Sequence, residues 1–207
     1  MAEAQTDSSS ANARRTYAAA PGLVPTPGQT VGPFYHYALP FEDGEHLVPA
    51  RAPGSVRLHG TVTDGAGAPV PDALIEIWQP DAAGRIVREA GSLRRDPGVF
   101  TGFGRTQTWR DGGYSFTTVE PGSTSEGAAP FVAMTVFARG LLNRLFTRVY
   151  LPEPAAALES DALLSSLDPA DRATLGASRE ADGSLRFDVR LQGDGETVFL
   201  RYPRHEV

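Results

Sequence analysis

The chain contains no cysteine, which removes disulfides, thiolate metal sites and a cysteine nucleophile together and fits a reducing compartment. Histidine is scarce. His36, His46, His59 and His205 form no i, i+2 pair on a strand, no i, i+4 pair on a helix and no HExxH, so no complete metal cage is written in the sequence. No stretch approaches the about 18–20 apolar residues of a membrane span. The opening MAEAQTDSSS puts Glu3 and Asp7 ahead of any basic residue and has no apolar core, unlike a secretory signal, and a cytoplasmic location is expected. GxSxG, GxxxxGK[ST] and GxGxxG in a strand–helix context are missing, which leaves serine hydrolysis and phosphate-loop chemistry without footing. The balance of 19 basic against 25 acidic residues gives a net charge of −6 and no basic cluster, a poor match to nucleic acid. Glu42–Asp43, Asp96 and Glu159–Asp161 lie in polar loops, where carboxylates are solvated rather than paired for acid–base work.

What is present reads as one folded unit. Hydrophobic residues make up 41% of the 207 positions and charged residues 21%, too apolar for a disordered chain. Residues 1–20 are rich in Ala, Ser and Asn and read as a flexible tail. Residues 21–54 form a Pro-rich segment, read as an extended arm laid against a surface, and residues 55–207 as a β-sandwich. In SVRLHGTVTD (55–64) the apolar Val56, Leu58 and Val62 alternate with polar residues. ALIEIWQ (73–79), GGYSFTTV (112–119), LFTRVYLP (145–152) and SLRFDVRLQG (184–193) repeat that format between turn signals, with Gly84 placed for a positive φ. FVAMTVFA (131–138) is apolar on both faces and reads as a central strand covered on both sides. Two short helices are expected near 158–177, with Ser160 and Asp168 as N-caps and Pro169 at the first helical position. Many short strands separated by turns give the fold class: all-β, an antiparallel β-sandwich.

Three features stand out as candidates. Arg139 ends the apolar run in GAAPFVAMTVFARG, either as a strand-end charge in solvent or as a guanidinium aimed at something. FYHY (34–37) puts Tyr35 and Tyr37 on one face of an extended segment, for packing, an interface or tyrosinate ligation. His59 alternates with buried positions and reads as a solvent-facing strand residue.

QTVGPFYH (29–36), HGTVTDGAGAPVPDALIEIWQPDAAGR (59–85), GFGRTQTWRDGGYSFTTVEPG (102–122), FARG (137–140) and FDVRLQGDGETVFL (187–200) together resemble the intradiol ring-cleavage dioxygenases, from about Thr26 to Phe199. The resemblance is narrowest to the iron-free, alpha-type subunit of the heteromeric members. It implies a β-sandwich, also approximated by transthyretin-like domains, and a complex in which Fe(III), held by two tyrosines and two histidines of a beta subunit, binds a catechol for attack by O₂. The implied substrate is protocatechuate and the implied assembly a large hetero-oligomer of alpha–beta pairs. The ligand positions of the catalytic pattern are empty here: Ile86 stands at the first tyrosine, GSTSEGAAP (122–130) holds no second one, and Phe131 and Ala133 replace the histidine pair. This chain is therefore expected to bind no metal and to be inactive alone, with Phe131 and Ala133 filling the vacated pocket. Arg139 resembles the arginine that the alpha-type subunit contributes to its partner's substrate site, and Thr30, Gly32 and Pro33 match the arm lining the same cleft. Arg105 in GFGRT would join the cleft or brace a loop. The competing reading is a stand-alone transthyretin-like sandwich that recognises a small ligand or protein. Iron ligation by the adjacent Tyr35, His36 and Tyr37 is disfavoured, because three neighbours rarely converge on one metal without distant partners.

Overall fold

The computed structural model describes residues 28–32, 34–88 and 99–202. The tail expected at 1–20, the first part of the arm, Pro33 and most of the loop 89–102 lie outside the described residues. Strands β1 (Ser55–Thr63), β2 (Leu74–Trp78), β4 (Gly113–Val119), β5 (Phe131–Phe137) and β6 (Leu145–Tyr150) follow the expected strand segments closely, while β3 (Phe103–Gln107) was not anticipated. Beyond them come the short pieces β7 (Ser178–Arg179), β8 (Leu185–Arg186) and β9 (Val189–Arg190). One sheet runs in the order β4-β1-β8-β7 with β9 also on β1, and the other in the order β3-β2-β5-β6. Val56, Leu58 and Val62 of β1 with Tyr114 and Phe116 of β4 meet Ile75 and Ile77 of β2 and Val132, Met134 and Val136 of β5 in the core between the sheets. Burial of this apolar set holds the two layers together. Among the described residues no helix is long and apolar enough to cross a membrane.

The sandwich is not purely antiparallel: β8 and β9 run parallel to β1. The chain reaches β8 from the β7 hairpin after a long crossover, which is what a parallel neighbour requires. SLRFDVRLQG is also not one strand. The Phe187 carbonyl accepts a hydrogen bond from the buried Tyr114 hydroxyl at 2.5 Å, and the Thr61 N–H donates instead to the Asp188 carboxylate at 2.9 Å. The exchange splits the segment into β8 and β9. It also leaves no room at Gly60, where a Cβ would lie 1.8 Å from the Phe187 oxygen.

Strand β5 buries only one face fully; Phe131, Ala133, Thr135 and Phe137 on the other are half-buried. Three short helices, not two, cover one end of that outer face: α2 (Ala155–Ser160), α3 (Ala162–Ser166) and α4 (Pro169–Ala173), after α1 (Tyr35–Ala38) in the arm. Asp161, not Ser160, caps α3 by accepting from the Leu163 and Leu164 N–H groups, since a carboxylate reaches both donors. Asp168 caps α4 with Pro169 inside its first turn.

Tyr114→Phe leaves the buried Phe187 carbonyl without its donor and is expected to cost about 1–3 kcal/mol. Gly60→Ala must push β1 away from Phe187 and is expected to cost about as much or more. Urea unfolding at constant m-value checks both; wild-type midpoints would contradict this account of the β8–β9 break.

Candidate functional site

The register of β2 with β5 builds the site. Leu74 pairs with Phe137, Glu76 with Thr135 and Trp78 with Ala133 on the outer face. Two residues beyond Leu74–Phe137 in the same register, Asp72 comes opposite Arg139. The Arg139 Nε lies 3.0 Å from Asp72 Oδ2, with the Asp72 side chain 10% exposed and that of Arg139 59%. Arg139 occupies a tight turn closed by the Leu141 N–H to the Ala138 carbonyl at 3.2 Å. Gly140 follows at φ +91°, a conformation open to glycine, which turns the chain directly after the arginine.

The arm joins the same corner. The Val31 N–H donates to the Leu141 carbonyl at 3.2 Å, and Gly28 packs near the Leu142 side chain. Thr30 and Gly32 are exposed on this segment; Pro33, the fourth residue of the expected set, is outside the described residues. FYHY is not extended. Its residues wind into the single turn of α1, which ends at Leu39, where Pro40 disfavours further helix. The two tyrosines therefore face apart. Tyr37 is 72% exposed, whereas the half-buried Tyr35 hydroxyl lies 2.5 Å from the Asp72 carbonyl and 3.1 Å from the Phe137 carbonyl. Burial raises the Tyr35 pKa well above its ordinary value, the Asp72 carboxylate adds to the rise, and Arg139 opposes it. Tyr35 is thus a neutral donor to main-chain carbonyls, and Tyr35, His36 and Tyr37 do not converge as ligands.

Arg105 braces the arm. Its Nε and Nη2 reach Glu76 Oε1 at 2.8 and 2.5 Å, and its Nη1 donates to the Leu39 carbonyl at 2.9 Å. The guanidinium also lies 5.9 and 5.5 Å from the ring centres of Phe41 and Phe103.

The positions that the resemblance assigns to iron ligands carry hydrocarbon. Ile86 is half exposed after the Gly84 turn, where φ is +80°. The Phe131 ring stands beside Tyr150 and has the Arg148 guanidinium 4.2 Å from its centre; Arg148 donates to the Tyr150 hydroxyl, which reaches Asp161 Oδ1 at 3.0 Å. Ala133 lies between Trp78 and Arg148 across the sheet. Side chains without lone pairs, beside a guanidinium cation, do not fit a ferric ion. Among the described residues no group of three or more His, Cys, Asp or Glu is placed to hold a metal ion. His59 departs from its solvent-facing reading: its side chain is 15% exposed and its Nε2 sits 2.9 Å from Glu180 Oε2, because the β7–β8 hairpin folds over it.

Sequence reasoning missed Asp72 and Glu76. Their signal was available in PDALIEIW, where an acid before a buried strand and another inside it need cationic partners.

The fold is a two-sheet sandwich with an arm clamped to the end of its β2–β5 pair. A solved dioxygenase domain, from a dioxygenase carbohydrate-binding protein fusion of Streptomyces sp. SirexAA-E, matches with a TM-score of 0.55 and 28% identity, covering 82% of this chain and 99% of that one. The family model described as Dioxygenase matches residues 31–193, and the chain belongs to that family. It is 38% identical over 203 residues to the protocatechuate 3,4-dioxygenase alpha chain of Burkholderia cepacia, covering 86% of this chain and 98% of that relative. With the protocatechuate 3,4-dioxygenase beta chain of the same organism it shares 34% identity over 147 residues, 67% of this chain and 58% of that one. These similarities do not favour the stand-alone transthyretin-like reading.

Burial raises the pKa values of Tyr35, Tyr114 and Tyr150. A phenol with a raised folded pKa contributes stability that is present below the unfolded value of about 10 and is lost as pH rises beyond it. Thermal melting is therefore expected to fall steeply above about pH 10, while these three phenols stay protonated until the chain unfolds. Tyrosinate absorbance followed alongside melting checks this; all six tyrosines titrating normally in the folded chain would contradict it.

Proposed function

We propose that this chain is the iron-free alpha subunit of a protocatechuate 3,4-dioxygenase. It acts with a beta subunit that holds Fe(III), within a cytoplasmic hetero-oligomer of alpha–beta pairs. The reaction is cleavage of the bond between the two hydroxyl-bearing ring carbons of protocatechuate. Both atoms of O₂ enter the product, 3-carboxy-cis,cis-muconate. The share of this chain is the wall of the partner's substrate cleft, formed by Arg139 with Thr30, Gly32 and Pro33 of the arm.

The observation that carries this reading is the state of Arg139. Its Nε is the atom nearest Asp72 in an ion pair, while its two terminal nitrogens make no hydrogen bond among the described residues. Those nitrogens form the planar fork that binds a carboxylate in two parallel hydrogen bonds. Protocatechuate carries such a carboxylate and catechol does not. Exposed Phe34 at the N-cap of α1, Tyr37 on it and Leu142 near Arg139 in sequence give the same corner an apolar rim suited to burial by a partner chain. The identity to an alpha chain over nearly its whole length supports the assignment further.

Arg139→Ala in the assembled enzyme is expected to raise KM for protocatechuate by roughly ten- to a hundredfold more than KM for catechol, the scale of a lost charge-assisted contact. Steady-state O₂ uptake with both substrates measures the ratio, and an unchanged ratio would sink the role given to Arg139.

A further inference from the structure

We propose that Asp72 is a positioning residue for carboxylate recognition, acting through Arg139 and making no contact with the substrate itself. The inference rests on the reading of Arg139 given above. A surface arginine has many rotamers, and a ligand that must order it binds more weakly for the freedom lost. Here the ordering is done beforehand by an acid whose backbone is held by hydrogen bonds on both sides. The Asp72 carbonyl receives the Tyr35 hydroxyl. On its other side, the Ala73 N–H donates to Thr108 Oγ1 and the Ala73 carbonyl accepts from the Thr108 N–H, both at 2.9 Å. The Thr108 hydroxyl donates to the Val70 carbonyl at 2.7 Å. The backbone from 70 to 73 is thereby clamped to the end of β3 and to the arm, and the buried carboxylate is presented from a fixed base.

The contact geometry resolves an apparent conflict of charge. A carboxylate next to Arg139 weakens the field felt by an anionic substrate and so opposes its binding. Asp72 lies nearest Nε, however, and the terminal nitrogens make no hydrogen bond among the described residues, so the fork remains available to a second carboxylate. Orientation is gained without direct competition. Tyr35 links the same residue to the arm, so that Arg139 and the segment from Gly28 to Val31 are held as one rigid corner.

The test uses the assembled enzyme with its beta chain and compares protocatechuate with catechol for wild type, Asp72→Ala, Asp72→Asn, Arg139→Ala and the double variant Asp72→Ala/Arg139→Ala. Asp72→Ala is expected to raise KM for protocatechuate about tenfold more than KM for catechol, with kcat little changed, the ratio expected from a lost ordering of about 1.4 kcal/mol. Asp72→Asn keeps an oxygen for Nε and is expected to recover most of the loss. In the Arg139→Ala background, Asp72→Ala should leave the ratio where Arg139→Ala alone puts it. Equal changes for both substrates, or a further change of ratio in the double variant, would mark Asp72 as merely structural and overturn the proposal. If Asp72→Ala does not assemble, Asp72→Glu, which displaces the carboxylate by one methylene, carries the same comparison with the same two outcomes. Failure of Arg139→Ala itself to alter the ratio would instead overturn the function proposed for Arg139, whatever the Asp72 variants do.

Discussion

The pairing of β2 with β5 is the constraint on which the rest depends. In the register Leu74–Phe137, Ile75–Val136, Glu76–Thr135, the odd-numbered residues of β2 enter the core and the even-numbered ones stand on the outer face. A slip of one residue would exchange the two sets, exposing Ile75 and Ile77 and burying Glu76. The buried apolar set therefore fixes the register, and the register then fixes the chemistry. Past the strand ends it sets Asp72 opposite Arg139 and within them Trp78 opposite Ala133; the pairing of β2 with β3 adds Arg105 beside Glu76, and that of β5 with β6 adds Arg148 on the other side of Ala133.

Three arginines on or next to this sheet face show how context assigns different work to one side chain. Arg105 is mostly buried, doubly bonded to Glu76 and stacked near two phenylalanines, and its hydrogen bonding serves the fold. Arg148 lies over Phe131 and holds the Tyr150 hydroxyl, tying β6 toward the helix capped by Asp161. Arg139 is exposed and ion-paired with Asp72, and its terminal nitrogens make no hydrogen bond among the described residues. A catalytic centre at the Phe131–Ala133 end would need donors that hydrocarbon does not offer, whereas the Arg139 end has an exposed cation ion-paired with Asp72. The division suits a chain that supplies a recognition group to a neighbouring centre.

Much of this was legible in the sequence for a simple reason: the strands of a half-buried sheet repeat with period two, and Val56-Leu58-Val62 and Tyr114-Phe116-Thr118 display it plainly. The proline and aspartate of Asp168-Pro169 likewise carry their own local instruction. What could not be read depends on contacts distant in the chain. The break between β8 and β9 requires Tyr114 to reach Phe187, the cover over His59 requires Glu180, and the clamp on Arg139 requires a register that brings residue 72 to residue 139. FYHY misled because prolines on both sides suggested extension, while the six residues between them were free to make one helical turn around a half-buried tyrosine hydroxyl. The family motifs located Arg139 but not the acid that orders it, since motif likeness marks positions and not their partners.

The central claim is a division of labour between an iron-free chain and a ferric partner. The most direct test is iron content together with protocatechuate-dependent O₂ uptake, measured for this chain expressed alone and co-expressed with a beta chain. The account predicts an iron-free, inactive lone chain and a ferric, active complex. A lone chain that binds iron and turns over would contradict it, and would place the metal on donors other than those the family pattern leaves empty here.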